Sequence, residues 1–250
     1  MYRGRTLAVL IPAFNEAKTI GRVLRTLPTF VDAVVVVDDG SSDETYAIAR
    51  QYEHRFPKFL LLRHSKNRGF GAALKTCYTH ALRTSSDMLV VMGADGQMLP
   101  SELPTVLDPI VDGIADVVNG DRSPSMFSAR DNMPRDRFTL NRLITRLTSL
   151  VSGYNINDAE CGYTAIRREC AAAIDWNGMT DGWGIGLERL VLLKARNCRL
   201  ANVPVHIVYR RKVSTLRYLP FLVDYLSALF RLLPLWVRLG TKRPRCSSSS

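Results

Sequence analysis

VVVDDGSSDET, residues 35–45, sets an apolar run against two acids and a turn. With Val34 included, four valines lead into Asp38 and Asp39, then Gly40, Ser41 and Ser42. β-branched residues in sequence make a buried strand, and Asp, Gly and Ser make the turn that ends it. Turn chemistry alone accounts for the composition. A second reading is that this strand end holds a ligand, because open parallel sheets bind ligands at the carboxyl ends of their strands.

Outward from this stretch, apolar runs alternate with amphipathic segments. Strands are expected at 7–11, 33–37, 59–62, 88–92 and 116–119. Helices are expected at 16–27, 43–52, 71–82 and 101–111, with Ser101 as the N-cap of the last. This alternation, with right-handed crossovers, predicts an α/β, Rossmann-like, mainly parallel sheet with helices on both faces. Residues 121–136 read as a loop without period. A helix over 137–151, a turn leading into a strand through GYNINDAECGYTAIRRE, a helix over 184–196 and a strand over 200–209 complete the reading.

Composition narrows the function. The chain has 250 residues, 46% hydrophobic and 23% charged, which suits a globular protein with a full core. Its formal net charge of +11 points to an anionic partner: nucleic acid, an anionic membrane or a phosphorylated substrate. The basic residues are dispersed and lack interleaved stacking aromatics, which argues against nucleic acid. Cys77, Cys161, Cys170, Cys198 and Cys246 form no CxxC pair, so neither zinc nor a disulfide framework is indicated and reduced thiols are expected. The apolar run near the N-terminus ends at Pro12 and is too short for a signal peptide.

The segment LRYLPFLVDYLSALFRLLPLWVRLG, residues 216–240, stands apart. Twelve Leu, Phe or Val lie between Leu219 and Leu239, worth about −4 to −7 kcal/mol toward membrane insertion, against about +5 to +7 for Asp224 and Arg231. A lone spanning helix is therefore not favoured. Arg217, Asp224, Ser227, Arg231 and Arg238 form one helical stripe, the pattern of an amphipathic helix in a membrane interface. Lys242, Arg243 and Arg245 follow in a basic, Ser-ended tail over 241–250 and would each favour anionic lipid by about 1 kcal/mol. The competing reading packs this helix on the core or on a second subunit of a homo-oligomer.

Four polar clusters fall at predicted strand ends: Pro12, Phe14, Asn15 and Glu16; Asp38 and Asp39; Asp95 and Gln97; Asp121 and Arg122. Several on one sheet edge describe a cleft. A carboxylate after the second strand can accept from ribose hydroxyls or a base N–H. Asp95 and Gln97 offer oxygens to one hard cation, Mg2+ or Mn2+, bridging to a diphosphate. Neither GxGxxG nor GxxxxGK[ST] occurs. NRGFGAAL, residues 67–74, carries glycines that permit close backbone approach, to a ligand or to packing neighbours.

IPAFNE, VVVDDGSSDET, NRGFGAAL, ADGQM and DAECGYTAIRRE stand in the order and spacing of family 2 glycosyltransferases with the GT-A fold. Over residues 5–215 the chain most resembles polyprenyl-phosphate enzymes such as dolichyl-phosphate mannose and glucose synthases. The resemblance implies a catalytic domain over 1–215 with its acceptor loop at 121–136. It implies nucleotide contacts from Pro12, Phe14, Glu16, Val37, Asp39 and Ala94, and a metal on Asp95 and Gln97. Arg122, Arg137 and Arg210 match arginines that would neutralise phosphates. Two positions depart from the pattern: Gly93 stands where many relatives have the first Asp of a DxD-like motif, and Thr215 replaces a lysine, for which Lys212 or Arg217 would have to substitute.

The activity so implied is transfer of a hexose from UDP-glucose or GDP-mannose to a dolichyl or undecaprenyl phosphate, with inversion, at the cytoplasmic face of a membrane. A lipid phosphate is already ionised, so no strong base is needed. The work is positioning and charge neutralisation. Asp158 is the candidate carboxylate if a base or orienting group acts, capping of its turn being the alternative. His54, His64, His80 and His206 read as structural. Glu188 is expected to pair with an arginine. Trp176 and Trp183 are core residues or line the acceptor entrance. Two other readings stay open: a family 2 transferase acting on a sugar hydroxyl, which needs a base, and a non-catalytic nucleotide-sugar-binding subunit, suggested by Gly93.

Overall fold

The computed structural model describes residues 1–122, 135–206, 208 and 218–240, without the side chains of 135–138, 218 and 233–240. Strand β1 (Leu7–Ala13) is followed by α1 (Ile20–Thr26), β2 (Ala33–Asp38), α2 (Thr45–Arg50), β3 (Lys58–Arg63), α3 (Phe70–Ala81) and β4 (Met88–Val91). A 3-10 turn (Pro100–Glu102) opens α4 (Leu103–Val111). Then come β5 (Val117–Asp121), α5 (Arg135–Ser152), β6 (Thr164–Arg167), α6 (Arg168–Ala172), α7 (Ile185–Ala195), β7 (Leu200–Pro204) and α8 (Tyr218–Gly240).

The strands form one sheet in the order β3-β2-β1-β4-β6-β5-β7. β6 runs antiparallel to β4 and to β5, and every other neighbouring pair is parallel. Two reversals cancel, so β5 again points the way of β1, β2 and β4. All their carboxyl ends lie on one edge.

Both faces of the central strands are covered, which is why β1 and β2 read as unbroken apolar runs and are buried throughout. Leu7, Val9, Ile11, Val34 and Val36 pack beneath α1 and α4. Ala8, Leu10, Val35 and Val37 face the other way, onto Ala73, Leu74, Cys77 and Tyr78 of α3 and onto Ile185 and Leu193 of α7. The period of two sends alternate residues to opposite layers. Burying one such valine contributes about 1.5–3 kcal/mol.

Three local expectations are corrected. Ser101 lies inside the 3-10 turn and does not cap α4, whose N-cap is Glu102. The last strand ends at Pro204, short of the expected 209. Residues 168–172 form a short helix that no periodicity announced.

Helix α8 packs on α5 and α7 through Phe221, Tyr225, Ala228 and Leu232, against Ile144, Leu187 and Val191. The Tyr225 hydroxyl lies 2.6 Å from Thr148 Oγ1. Gly184 makes this approach possible: a Cβ there would stand 2.6 Å from Ala228 Cβ and 2.8 Å from the Asp224 carbonyl oxygen. Arg231 reaches Glu188 Oε1 at 3.3 Å, so the partner of Glu188 comes from the C-terminal helix. The helix is therefore three-sided. One apolar face meets the body, Asp224, Ser227 and Arg231 flank it, and Leu219, Leu222, Val223, Leu226 and Phe230 remain exposed. On α5, Leu143, Leu147 and Leu150 are exposed as well. Among the described residues no helix is long and apolar enough to cross a membrane.

Candidate active site

The loop after β1 is stitched to the loop after β2. Asp39 N–H donates to the Ala13 carbonyl at 2.8 Å, Asn15 N–H to Ser41 Oγ at 2.9 Å, and Glu16 N–H to Thr45 Oγ1 at 2.7 Å. Asn15 closes the link by accepting from Ser42 N–H at 3.0 Å. It sits at φ +53°, a left-handed conformation that Asn tolerates better than most residues. Pro12 and Val37, both buried, are register partners on β1 and β2. Phe14 projects into solvent, 43% exposed.

The two acids of the opening stretch do different work. Asp38 is fully buried. It accepts from Ser41 N–H at 3.1 Å and pairs with Arg63 Nε at 3.1 Å, so it ties the turn to β3. Asp39 is 3% exposed. Its Oδ1 lies 2.6 Å from His64 Nδ1 and accepts from Arg68 N–H at 3.0 Å, while Oδ2 accepts from Gly69 N–H at 2.9 Å. His64, read from sequence as structural, thus stands against the carboxylate that the resemblance assigns to the nucleotide. Register would have found it: Asp38 is opposite Arg63, so the residue after each strand meets the other. Its Nε2 is held 3.0 Å from Thr76 Oγ1.

The glycines of NRGFGAAL admit a neighbouring backbone. A Cβ on Gly69 would stand 2.6 Å from the Asp181 carbonyl oxygen, and one on Gly71 2.5 Å from that of Thr180. Ala72 N–H donates to the Asp181 carbonyl at 3.1 Å. The loop at 180–182 therefore covers the first turn of α3. That loop is fixed by Glu188, whose Oε2 accepts from Thr180 N–H at 2.7 Å. Burial pushes the Glu188 carboxyl above its ordinary pKa. Trp176 is core, stacked on Tyr78, and Trp183 is a surface residue stacked on Phe70.

After β4, Asp95 Oδ1 accepts from Gln97 N–H at 2.9 Å, and Gly96 turns the chain at φ +68°. Arg22 Nη2 donates to the Gly96 carbonyl at 3.2 Å. Ala94 is buried. A Cβ on Gly93 would lie 3.1 Å from Asp95 Oδ1, so a larger residue there would press on this carboxylate. The donor set expected from sequence, Asp95 and Gln97, would be one carboxylate and one amide oxygen. Among the described residues no group of three or more His, Cys, Asp or Glu is placed to hold a metal by itself. Such a pair would suit a hard cation that takes its remaining ligands from water and substrate phosphates.

After β5, Arg122 and Asp158 form a bidentate pair, Nε to Oδ2 at 2.5 Å and Nη2 to Oδ1 at 2.8 Å. Asp158 is 1% exposed and also accepts from Arg122 N–H at 3.3 Å, Glu160 N–H at 3.3 Å and the Asn141 amide at 3.4 Å. Burial opposes its charge, but the Arg122 guanidinium and these hydrogen bonds hold its pKa below the usual carboxylate range. The Asn141 amide oxygen is buried and takes no hydrogen bond among the described residues. Asp121 accepts from the Asn157 amide at 2.9 Å. Arg210, Lys212, Thr215, Arg217 and residues 123–134 lie outside the described residues. So does the side chain of Arg137, whose backbone is in the first turn of α5.

The acids after β2 and β4 and the anchored arginine after β5 lie along one edge of a mainly parallel α/β sheet of the GT-A-like kind. The family model for glycosyl transferase family 2 matches residues 8–174. The chain belongs to that family and is a glycosyltransferase. It is 33% identical to the polyprenol monophosphomannose synthase of Mycolicibacterium smegmatis, over 83% of this chain and 78% of the relative. It is 27% identical to the UDP-N-acetylglucosamine–dolichyl-phosphate N-acetylglucosaminyltransferase of Methanococcus voltae, over 82% of this chain and 86% of the relative. Among solved structures, glucosyl-3-phosphoglycerate synthase from Mycobacterium tuberculosis, in complex with Mn2+, uridine diphosphate and glucosyl-3-phosphoglycerate, superposes with a TM-score of 0.62 at 20% identity. That match covers 94% of this chain and 79% of the other, and shows the shared fold.

Proposed function

We propose that this protein transfers a hexose from a nucleoside diphosphate sugar to a polyprenyl phosphate, with inversion at the anomeric carbon. One observation carries the choice of acceptor. Asp158, the carboxylate best placed in the motifs to act as a base, has both oxygens committed to Arg122 and a lowered proton affinity. A hydroxyl acceptor would need its proton removed, whereas a phosphate arrives ionised. The curated relatives that act on polyprenol and dolichyl phosphates support the same reading.

In this mechanism Pro12, Phe14, Glu16, Val37, Asp39 and Ala94 form the nucleotide pocket, and His64 with the Arg68 and Gly69 amides fixes the Asp39 carboxylate. Asp95 and Gln97 would hold Mg2+ or Mn2+, which when bound would offset negative charge on the diphosphate. Arg122, with Arg137 and Arg210, neutralises phosphate charge, and Asp158 sets the plane of the Arg122 guanidinium. An acceptor phosphate oxygen attacks the anomeric carbon as the bond to the nucleoside diphosphate breaks. No proton transfer is needed in this step. Catalysis is positioning plus preorganised positive charge.

The catalytic domain occupies 1–215. The outward leucines of α5 and the outward Leu222, Leu226 and Phe230 of α8 seat residues 216–240 on the cytoplasmic face of an anionic membrane. There the +11 charge and the basic tail favour the surface. The test is turnover with Mn2+ or Mg2+. UDP-glucose, UDP-N-acetylglucosamine and GDP-mannose are each offered with a short-chain polyprenyl phosphate, reading free nucleoside diphosphate and glycolipid together. Glycolipid from one donor supports the proposal and names the sugar. Donor binding without glycolipid from any donor overturns it.

A further inference from the structure

Cys170 and Cys198 are separated in sequence and, with no CxxC pair, read from sequence as reduced thiols. The fold brings them together. Cys170 lies in α6, and Cys198 in the turn between α7 and β7, with Sγ–Sγ 2.7 Å. That is closer than the roughly 3.5–4.0 Å at which non-bonded heavy atoms have their optimum, and outside the S–S bond length of about 2.05 Å. Neither residue is loosely held. Cys198 N–H donates to the Leu193 carbonyl at 3.1 Å, and the Cys198 carbonyl accepts from the Tyr154 hydroxyl at 2.5 Å. Cys170 packs against the cluster that contains Cys198. Cys198 is buried and Cys170 is partly exposed, so one sulfur of the pair is within reach of a small solute. Cys77 and Cys161 are buried elsewhere.

We infer that Cys170 and Cys198 are a dithiol that closes to an intramolecular disulfide on exposure to a low-molecular-weight disulfide such as oxidised glutathione. Cys170, the accessible sulfur, loses its proton and attacks one sulfur of the oxidant. The oxidant's S–S bond breaks and one small thiolate leaves. The Cys198 thiol then loses its proton and attacks Cys170 Sγ, expelling the second small thiolate. Two protein thiols are oxidised, one small disulfide is reduced to two thiols, and the two protons end on the released thiolates. The first step is slow at neutral pH, because burial and then the hydrogen bond to Cys198 push the Cys170 thiol up to about 12. Asp116 adds to this shift and Arg167 opposes it.

The bridge would close a loop containing Trp176, the 180–182 cover over α3, and α7 with Glu188. That is the surface on which α8 sits. A cross-link there restricts the unfolded chain and holds this segment on the sheet. The proposal does not depend on the sugar or the acceptor.

The experiment uses the full chain, fully reduced, then incubated with oxidised glutathione at several ratios to reduced glutathione. Remaining thiols are alkylated under denaturing conditions and the peptides mapped by mass spectrometry. The expected result is a Cys170–Cys198 cross-linked peptide, with Cys77 and Cys161 still alkylated. The thermal midpoint should rise by about 5 °C or more, reversed by dithiothreitol. Cys170→Ser and Cys198→Ser should each lose the cross-linked peptide and the thermal shift. The wild-type readouts stand even if a variant folds poorly. Both cysteines still alkylated at the highest oxidant, a persistent glutathione adduct on Cys170, or cross-links running through Cys246 would each overturn the inference.

Discussion

Asp158 meets Arg122 along two parallel contacts, Oδ2 to Nε at 2.5 Å and Oδ1 to Nη2 at 2.8 Å, with the carboxylate buried and the arginine side chain 12% exposed. This pair joins the end of β5 to the DAECGY turn. Removing the charge of one partner leaves the other uncompensated in a buried setting, at a cost of about 3–5 kcal/mol. Asp158→Asn is therefore expected to lower the urea midpoint. Because the guanidinium is no longer held in place, kcat/KM should fall by about 10²-fold. A steady-state assay and equilibrium unfolding check both. Unchanged kcat/KM would remove Asp158 from the positioning role.

The acid side of the stability curve should show the same pair. Asp87, held by the Thr6 N–H, Asp116, held by Arg199, and Asp158, where Arg122 outweighs burial, all have depressed folded pKa values. Stability from such groups is present above their unfolded pKa, about 3.9, and is lost as pH falls through the folded values. Unfolding free energies measured between pH 7 and pH 3 should therefore drop below about pH 4. Asp158→Asn should show a shallower drop. Glu188, with its pKa raised by burial, has the opposite sign: its contribution is lost as pH rises through its folded pKa.

At the β4 loop, Asp95→Ala should abolish metal-dependent donor binding and leave the fold intact. Titration calorimetry with a UDP- or GDP-sugar, with and without Mn2+, reads this directly. Metal-dependent binding that survives the substitution would remove Asp95 from the metal site.

His64→Ala takes away the imidazole that fixes Asp39 Oδ1. Loss of one such hydrogen bond, about 1.4 kcal/mol, predicts a donor Kd weakened about tenfold. His64→Gln should recover part of the loss. Equal kcat/KM and Kd across the three proteins would return His64 to the purely structural role read from sequence.

Leu222→Asp with Phe230→Asp alters two exposed positions of α8. Surface changes of this kind are expected to move stability by no more than about 0.5 kcal/mol. Co-sedimentation with anionic vesicles should fall sharply while donor binding is kept. Undiminished sedimentation would show that the outward face of α8 is not the seat on lipid.

Much of this architecture follows from local patterning. The valines of β2, the apolar run of β1 and the glycine- and acid-bearing turns predict a doubly wound sheet with ligand groups along one edge. Each signal is set by residues within a turn or a strand of one another. Side-chain periodicity also separated α8 from the body of the chain. It could not orient that helix, because orientation depends on Gly184 admitting Ala228 and on Glu188 receiving Arg231.

The sequence by itself determined the mainly parallel sheet, the family and which polar residues fall at the strand ends, because motif spacing along a parallel sheet is a local property. Only the tertiary structure decided which side chains meet across the chain. His64 lies against Asp39 through the β2–β3 register, Asp158 grips Arg122, and Cys170 faces Cys198. Those pairs join residues brought together by packing of the sheet and its helices, and no period in the chain encodes that distance.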